Sequence, residues 1–140
     1  MKDEIIQTVL IDTDIVIDFL RGKEDIKDLI VELWKANRAF ISILTVYELY
    51  AGIRDKESQD TEHFIDACTV EFVTLDIAEQ GGELFRKYRK QGKTLSTVDC
   101  LIMATAMLRR HKILTRNIKH YPDNRILYKP SCLQGRHNEA

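Results

Sequence analysis

A chain of 140 residues with 44% hydrophobic content suits one compact domain that buries enough apolar surface to fold without disulfides or a structural metal. Its 21 basic and 22 acidic side chains leave a formal charge of -1, which excludes a global field for polyanions, so any nucleic acid must be held by local patches. Three scattered cysteines, Cys68, Cys100 and Cys132, exclude a disulfide framework and a cysteine-based zinc site; with no leader-like or membrane-length apolar run, a reducing, cytoplasmic setting is the expectation.

In chain order, the branched apolar run Thr8 to Ile11 predicts a buried strand feeding a helix from about Asp14 to Leu20, which Arg21-Gly22 ends. A second helix is predicted from Asp25 to Ala36, with Ile26, Leu29, Ile30 and Leu33 on one face and charges on the other. The run AFISIL, 39 to 44, reads as a strand and Thr45 to Arg54 as a helix. Helical patterns recur over Thr61 to Ala67 and Ile77 to Gln91, with a brief strand from Glu71 to Leu75 between them. Ser96 to Arg110 is apolar nearly all round, which predicts a central buried helix, and HKILT (111 to 115) and RILY (125 to 128) read as the last strands. Short apolar strands alternating with helices predict an α/β domain with a mostly parallel sheet over residues 1–130. The composition of residues 131–140, SCLQGRHNEA, predicts a flexible tail.

Sites in open parallel sheets form at the carboxyl ends of the strands, and the acids fall there. Asp12 ends the first strand and Asp14 starts the helix after it; Glu48 is expected in the first turn after AFISIL, and Asp99 in the first turn of the buried helix. Asn117 follows HKILT, so five oxygen-bearing side chains from four segments converge on one rim. Each also has a purely structural explanation. Thr45 to Glu48 and Ser96 to Asp99 fit capping boxes, Asp14 fits an N-cap, Asp18 the polar face of the first helix, and Asn117 a turn. Asp12 is hardest to explain that way, because an acid closing a buried strand is costly unless it is paired. Two carboxylates about 4 Å apart repel by roughly 4 kcal/mol at an effective dielectric near 20, so the cluster needs protons, an arginine or a divalent cation. Oxygen-only donors favour a hard ion, Mg²⁺ or Mn²⁺, which can hold a phosphate oxygen and lower the pKa of water; that chemistry is phosphodiester hydrolysis.

Over nearly its whole length the chain resembles the PIN-domain nucleases, and among them the small VapC-type toxins of toxin-antitoxin pairs. The resemblance rests on LIDTDIVIDFLRG (10 to 22), SILTVYELYAGIR (42 to 54) and STVDCLIMATAMLRRHKILTRN (96 to 117), in that order and spacing. It implies a PIN-like α/β/α sandwich and a Mg²⁺- or Mn²⁺-dependent endoribonuclease, with Asp12, Glu48 and Asp99 as the acidic metal centre and Asn117 beside them. It also implies a separate small antitoxin protein and a homodimer. Two positions depart from the family pattern. Many members carry asparagine where Asp14 stands, and many carry aspartate at or near Asn117.

For RNA phosphates the candidate grips are Arg116, which adjoins Asn117, and Arg86 and Lys93 in the run FRKYRKQGK; Arg109, Arg110 and Lys112 join the set, although Arg109 and Arg110 fit a solvated helix face better. Thr13, Thr97 and Thr115 lie beside the acids in sequence and can hold them or act as capping and strand residues. Two other readings use the same residues. Asp12-Thr-Asp14-Ile-Val16 also fits the nucleophile loop of haloacid-dehalogenase-like phosphatases, although HKILTRN lacks the late acid pair that fold needs. An acidic rim can also serve a non-catalytic binding module that docks a basic partner.

Overall fold

The structure, a computed structural model, describes residues 6–134. Strand β1, Thr8–Ile11, has Val9, Leu10 and Ile11 almost wholly buried, because it lies inside a four-stranded sheet. Its partners are β2, Ala39–Ser42; β3, Thr69–Glu71; and β4, His111–Leu114, in the order β3-β2-β1-β4. Every pairing is parallel, so each connection must cross over the sheet through helices. All four strands therefore end at the same edge.

Side chains alternate across the sheet, and β1 divides accordingly. Val9 and Ile11 join a core with α1 (Thr13–Leu20), α2 (Glu24–Lys35), α3 (Ile43–Gly52) and α4 (Ser58–Ala67), where the rings of Phe19, Trp34 and Phe64 meet edge to face. Leu10 joins the opposite core with α5 (Leu75–Lys90) and α6 (Thr97–Arg109). The result is the expected α/β/α sandwich. Gly81 allows α5 to lie close on α6: a Cβ there would come within 2.9 Å of Leu101 Cδ2. Helix α6 is buried from Cys100 to Ala106, except at Leu101, but Met107 and Leu108 emerge to solvent.

Four expectations need correction. Helix α3 begins at Ile43 because the Ser42 hydroxyl accepts the Leu44 N–H at 3.0 Å; Thr45 to Glu48 is then no capping box, and Glu48 falls in the second turn. The strand expected over Glu71 to Leu75 lies earlier, at Thr69–Glu71, because the pairing with β2 stops at Ser42 opposite Glu71 and α5 already begins at Leu75. The RILY segment is not a strand. Asp123 caps a 3₁₀ turn, Asn124–Ile126, and the segment pairs with β4 through a single bridge of Leu127 to Ile113. Finally, Asp18 does not sit on a solvated face: it is 8% exposed and paired.

Of the tail expected over 131–140, Ser131–Gln134 forms a short helix, α7, with Leu133 against the first core; residues 135–140 lie outside the described residues. Among the described residues no helix is long and apolar enough to cross a membrane.

Candidate functional site

Asp12 leaves β1 in extended conformation and is itself the N-cap of α1, a role the sequence suggested for Asp14. One of its oxygens, Oδ1, accepts the Thr13 N–H at 2.9 Å, and Oδ2 accepts the hydroxyls of Thr115 and Tyr121, each at 3.0 Å. Three donors offset the cost of placing an acid at the end of a buried strand. Thr13 reaches the other way, donating its hydroxyl to Glu48 Oε1 at 2.6 Å. This contact joins the start of α1 to the second turn of α3.

Asp14 sits within the first turn of α1 and accepts the N–H groups of Ile15 at 2.9 Å and Arg116 at 2.8 Å. Burial, reinforced by the charge of Asp12, pushes its carboxyl above the ordinary aspartate range despite those donors. Asp99 lies in the first turn of α6, whose N-cap Ser96 accepts the Asp99 N–H at 3.0 Å. Burial raises this carboxyl too, against the pull of Ser96 and of His120, whose Nδ1 is 3.6 Å from Asp99 Oδ2. Beside the acids stands Tyr121, 3% exposed, its hydroxyl donated to Asp12. Burial and the carboxylates of Asp12 and Asp99 push its phenol far up, which keeps it a donor.

These side chains open on one cleft of about 660 Å³, lined by Asp12, Thr13, Asp14, Glu48, Asp99 and Asn117, with Lys119 and His120 beside them. The expected convergence on the strand-end edge is therefore present. Thr115 is buried behind it, bonded to Asp12 and accepting the Asn117 N–H at 3.0 Å. Thr97, exposed at the first position of α6, lies outside the cleft lining.

The basic candidates fare differently. Arg116 turns its guanidinium inward to ion pairs with Asp18 and, at 3.3 Å, with Asp25, so it is not on the rim as its sequence position suggested. Arg109 is committed to Asp76 at 3.0 Å. Arg86 is exposed on α5 outside the cleft lining; Lys93 is exposed one residue before Thr94, which lines it. Sequence reasoning missed Lys119, His120 and Tyr121. Their only signal was proximity to Asn117, since the 3₁₀ turn Ile118–His120 that returns them to the acids has no pattern of its own.

The donor chemistry suits a hard divalent cation, because the acids offer oxygen alone. As they stand, no group of three His, Cys, Asp or Glu side chains among the described residues closes around one ion. The carboxylates are instead held by neutral donors: Thr13 on Glu48, and Thr115 and Tyr121 on Asp12.

Residues 9–121 match the family model of the PIN domain. Ribonuclease VapC19 of Mycobacterium tuberculosis is 40% identical over 114 residues, 81% of this chain and 91% of that protein. Ribonuclease VapC10 of the same species is 30% identical over 132 residues, 94% and 99% of the two chains. Among solved structures, a toxin-antitoxin complex from Klebsiella pneumoniae contains a chain 30% identical with a TM-score of 0.73, covering 88% of this chain and 98% of that one. A DNA-bound VapBC from Salmonella typhimurium, 20% identical with a TM-score of 0.76, covers 87% and 96% and shares the fold. With its parallel sheet, its acid-lined strand edge and these matches, the chain belongs to the PIN-domain family, on its VapC branch.

Proposed function

We propose that the chain is a divalent-metal-dependent endoribonuclease, using Mg²⁺ or Mn²⁺, and the toxin of a type II toxin-antitoxin pair. The observation that carries this reading is the cleft in which Asp12, Glu48 and Asp99 meet from three separate segments. The VapC relatives are named ribonucleases and the Klebsiella structure a toxin-antitoxin complex, which supports RNA as substrate and a small antitoxin as partner. Neither the phosphatase reading nor the non-catalytic module gains a supporting observation. We further assign residues 1–130 to the nuclease domain and 131–140 to a tail, and expect a cytoplasmic homodimer.

Asp12, Glu48 and Asp99 would hold the ion, and Asp14 adds negative charge beside them. Such an ion, when bound, would supply positive charge to a phosphate oxygen and lower the pKa of a water. Thr115 and Tyr121 fix the carboxylate of Asp12, Thr13 fixes that of Glu48, and the Asn117 amide can orient water at the cleft. The test is cleavage of RNA by purified protein free of partner, with Mg²⁺, with Mn²⁺ and with EDTA. Metal-dependent cleavage that Asp12→Asn abolishes is expected; no cleavage with either metal would remove the reading.

A further inference from the structure

Resting on the ribonuclease reading, we infer that Lys119 and His120 are the residues that grip the RNA phosphate, on the side of the cleft where Asp99 stands. Asp12, Asp14, Glu48 and Asp99 bring four carboxylates to one cleft, and one divalent ion cannot balance them when they are ionised. An anionic phosphodiester enters such a cleft only with further positive charge from the protein. The arginines nearest in sequence are committed elsewhere, Arg116 to Asp18 and Asp25 and Arg125 to Asp123. Lys119 and His120 are the basic side chains in the cleft lining. Lys119 is exposed and makes no ion pair among the described residues.

The backbone that carries them is fixed at both ends. On one side the Asn117 N–H donates to the buried Thr115 hydroxyl. On the other, Tyr121 is buried and its phenol is bonded to Asp12. Between them the His120 N–H returns to the Asn117 carbonyl at 3.0 Å and the Tyr121 N–H to the Ile118 carbonyl at 3.2 Å. Lys119 and His120 are thus displayed on a short anchored turn, with the imidazole 3.6 Å from Asp99. Lys119 supplies charge, and the imidazole supplies an N–H donor in either charge state.

The experiment measures kcat and KM for cleavage of a single-stranded RNA of mixed sequence in saturating Mg²⁺ across a salt series. It uses the full chain, Lys119→Met, His120→Ala, His120→Gln and a distant control, Lys35→Met on α2. Removing one phosphate contact on single-stranded nucleic acid lowers the salt slope of log affinity by about 0.7, which at 0.15 M salt is about a 4-fold loss. Lys119→Met is expected to raise KM by about that factor, with the reduced slope and kcat within about 2-fold. His120→Ala should raise KM, His120→Gln should restore part of the loss through its N–H, and Lys35→Met should match the full chain. Wild-type KM at every salt concentration for both Lys119→Met and His120→Ala would overturn the inference while cleavage itself upholds the ribonuclease. So would a loss confined to kcat. Absence of cleavage by the unaltered chain would overturn both.

Discussion

The phenol of Tyr121 donates a hydrogen bond to Oδ2 of Asp12 at 3.0 Å, joining the core beneath α5 and α6 to the acid that ends β1. Tyr121 is packed among the buried residues of that core, so its ring anchors and its hydroxyl reaches the site. A hydrogen bond to a charged group contributes about 1.5–3 kcal/mol. Tyr121→Phe keeps the ring and deletes the donor. In EDTA it should lower the melting temperature by several degrees, since about 1 kcal/mol corresponds to ~2–4 °C in a chain of this size. With Mg²⁺ the deficit should shrink, because a cation takes over the neutralisation of Asp12. Equal deficits in both conditions would separate the phenol from the charge of the acids.

Arg116 is predicted to matter for stability rather than for RNA. Its guanidinium ties Asp18 of α1 and Asp25 of α2 to the end of β4, with side-chain exposures of 30% for the arginine and 12% and 14% for the acids. Removing one partner of a buried pair leaves uncompensated charge and costs about 3–5 kcal/mol; partial exposure places this one at the lower end. Arg116→Met should lower the denaturant midpoint accordingly, and adding Asp18→Asn should recover part of the loss. The salt dependence of KM should stay as in the unaltered chain, in contrast to Lys119→Met. A reduced salt slope in Arg116→Met would return this residue to the RNA-binding surface.

The division between Arg116 and Lys119 marks where the sequence stops being informative. Strong periodicity and branched apolar runs specify β1, α2 and α6 to within a residue or two, and the acids come to one edge because the strands are parallel. What decides Arg116 is non-local: an inward guanidinium needs Asp18 and Asp25, which are 98 and 91 positions away. The same is true of Asp18, whose helical position reads as solvated until its partner is known. Boundaries moved where a single hydroxyl acts, as at Ser42, which turns Ile43 and Leu44 from strand into helix. The EFVTL and RILY runs have strand composition, but pairing depends on a neighbouring strand of sufficient length. Lys119, His120 and Tyr121 were hidden because one short turn, not a repeating pattern, returns them to the cleft.

Burial raises the carboxyl of Asp99 above the ordinary aspartate value. A carboxyl with a higher pKa in the folded state favours folding when protonated. That contribution is complete below the unfolded pKa of about 3.9 and is lost as the pH rises through the raised value. Above that value and without metal, burial opposes the ionised carboxylate of Asp99. Asp99→Asn should melt higher than the unaltered chain in EDTA at pH 7, and the two should converge toward pH 3. It should also lose most of the stabilisation that Mg²⁺ gives by binding the folded state. Melting curves across pH, with and without Mg²⁺, provide the check; a lower melting temperature for Asp99→Asn in EDTA at pH 7 would contradict it. Asp14→Asn is a less clean probe, because its two oxygens accept two different N–H groups and an amide can accept only one of them.

Asn117 lines the cleft at the start of the 3₁₀ turn; its backbone N–H is taken by Thr115, and its side chain makes no capping hydrogen bond. An amide at this position can orient water but adds no charge, whereas a carboxylate adds a ligand for a hard cation. Asn117→Asp should therefore lower the Mg²⁺ concentration needed for half-maximal RNA cleavage. The added charge also repels the other acids, so the same substitution should lower the melting temperature in EDTA and enlarge the gain on adding Mg²⁺. Asn117→Ala should slow cleavage by less than Asp99→Ala, since it removes an orienting group rather than a primary ligand. An Mg²⁺ titration of cleavage with the four chains, paired with melting curves, tests each part. If Asn117→Asp leaves both the titration and the Mg²⁺-dependent melting shift unchanged, and Asn117→Ala cleaves at the unaltered rate, Asn117 serves only the turn that carries Lys119 and His120.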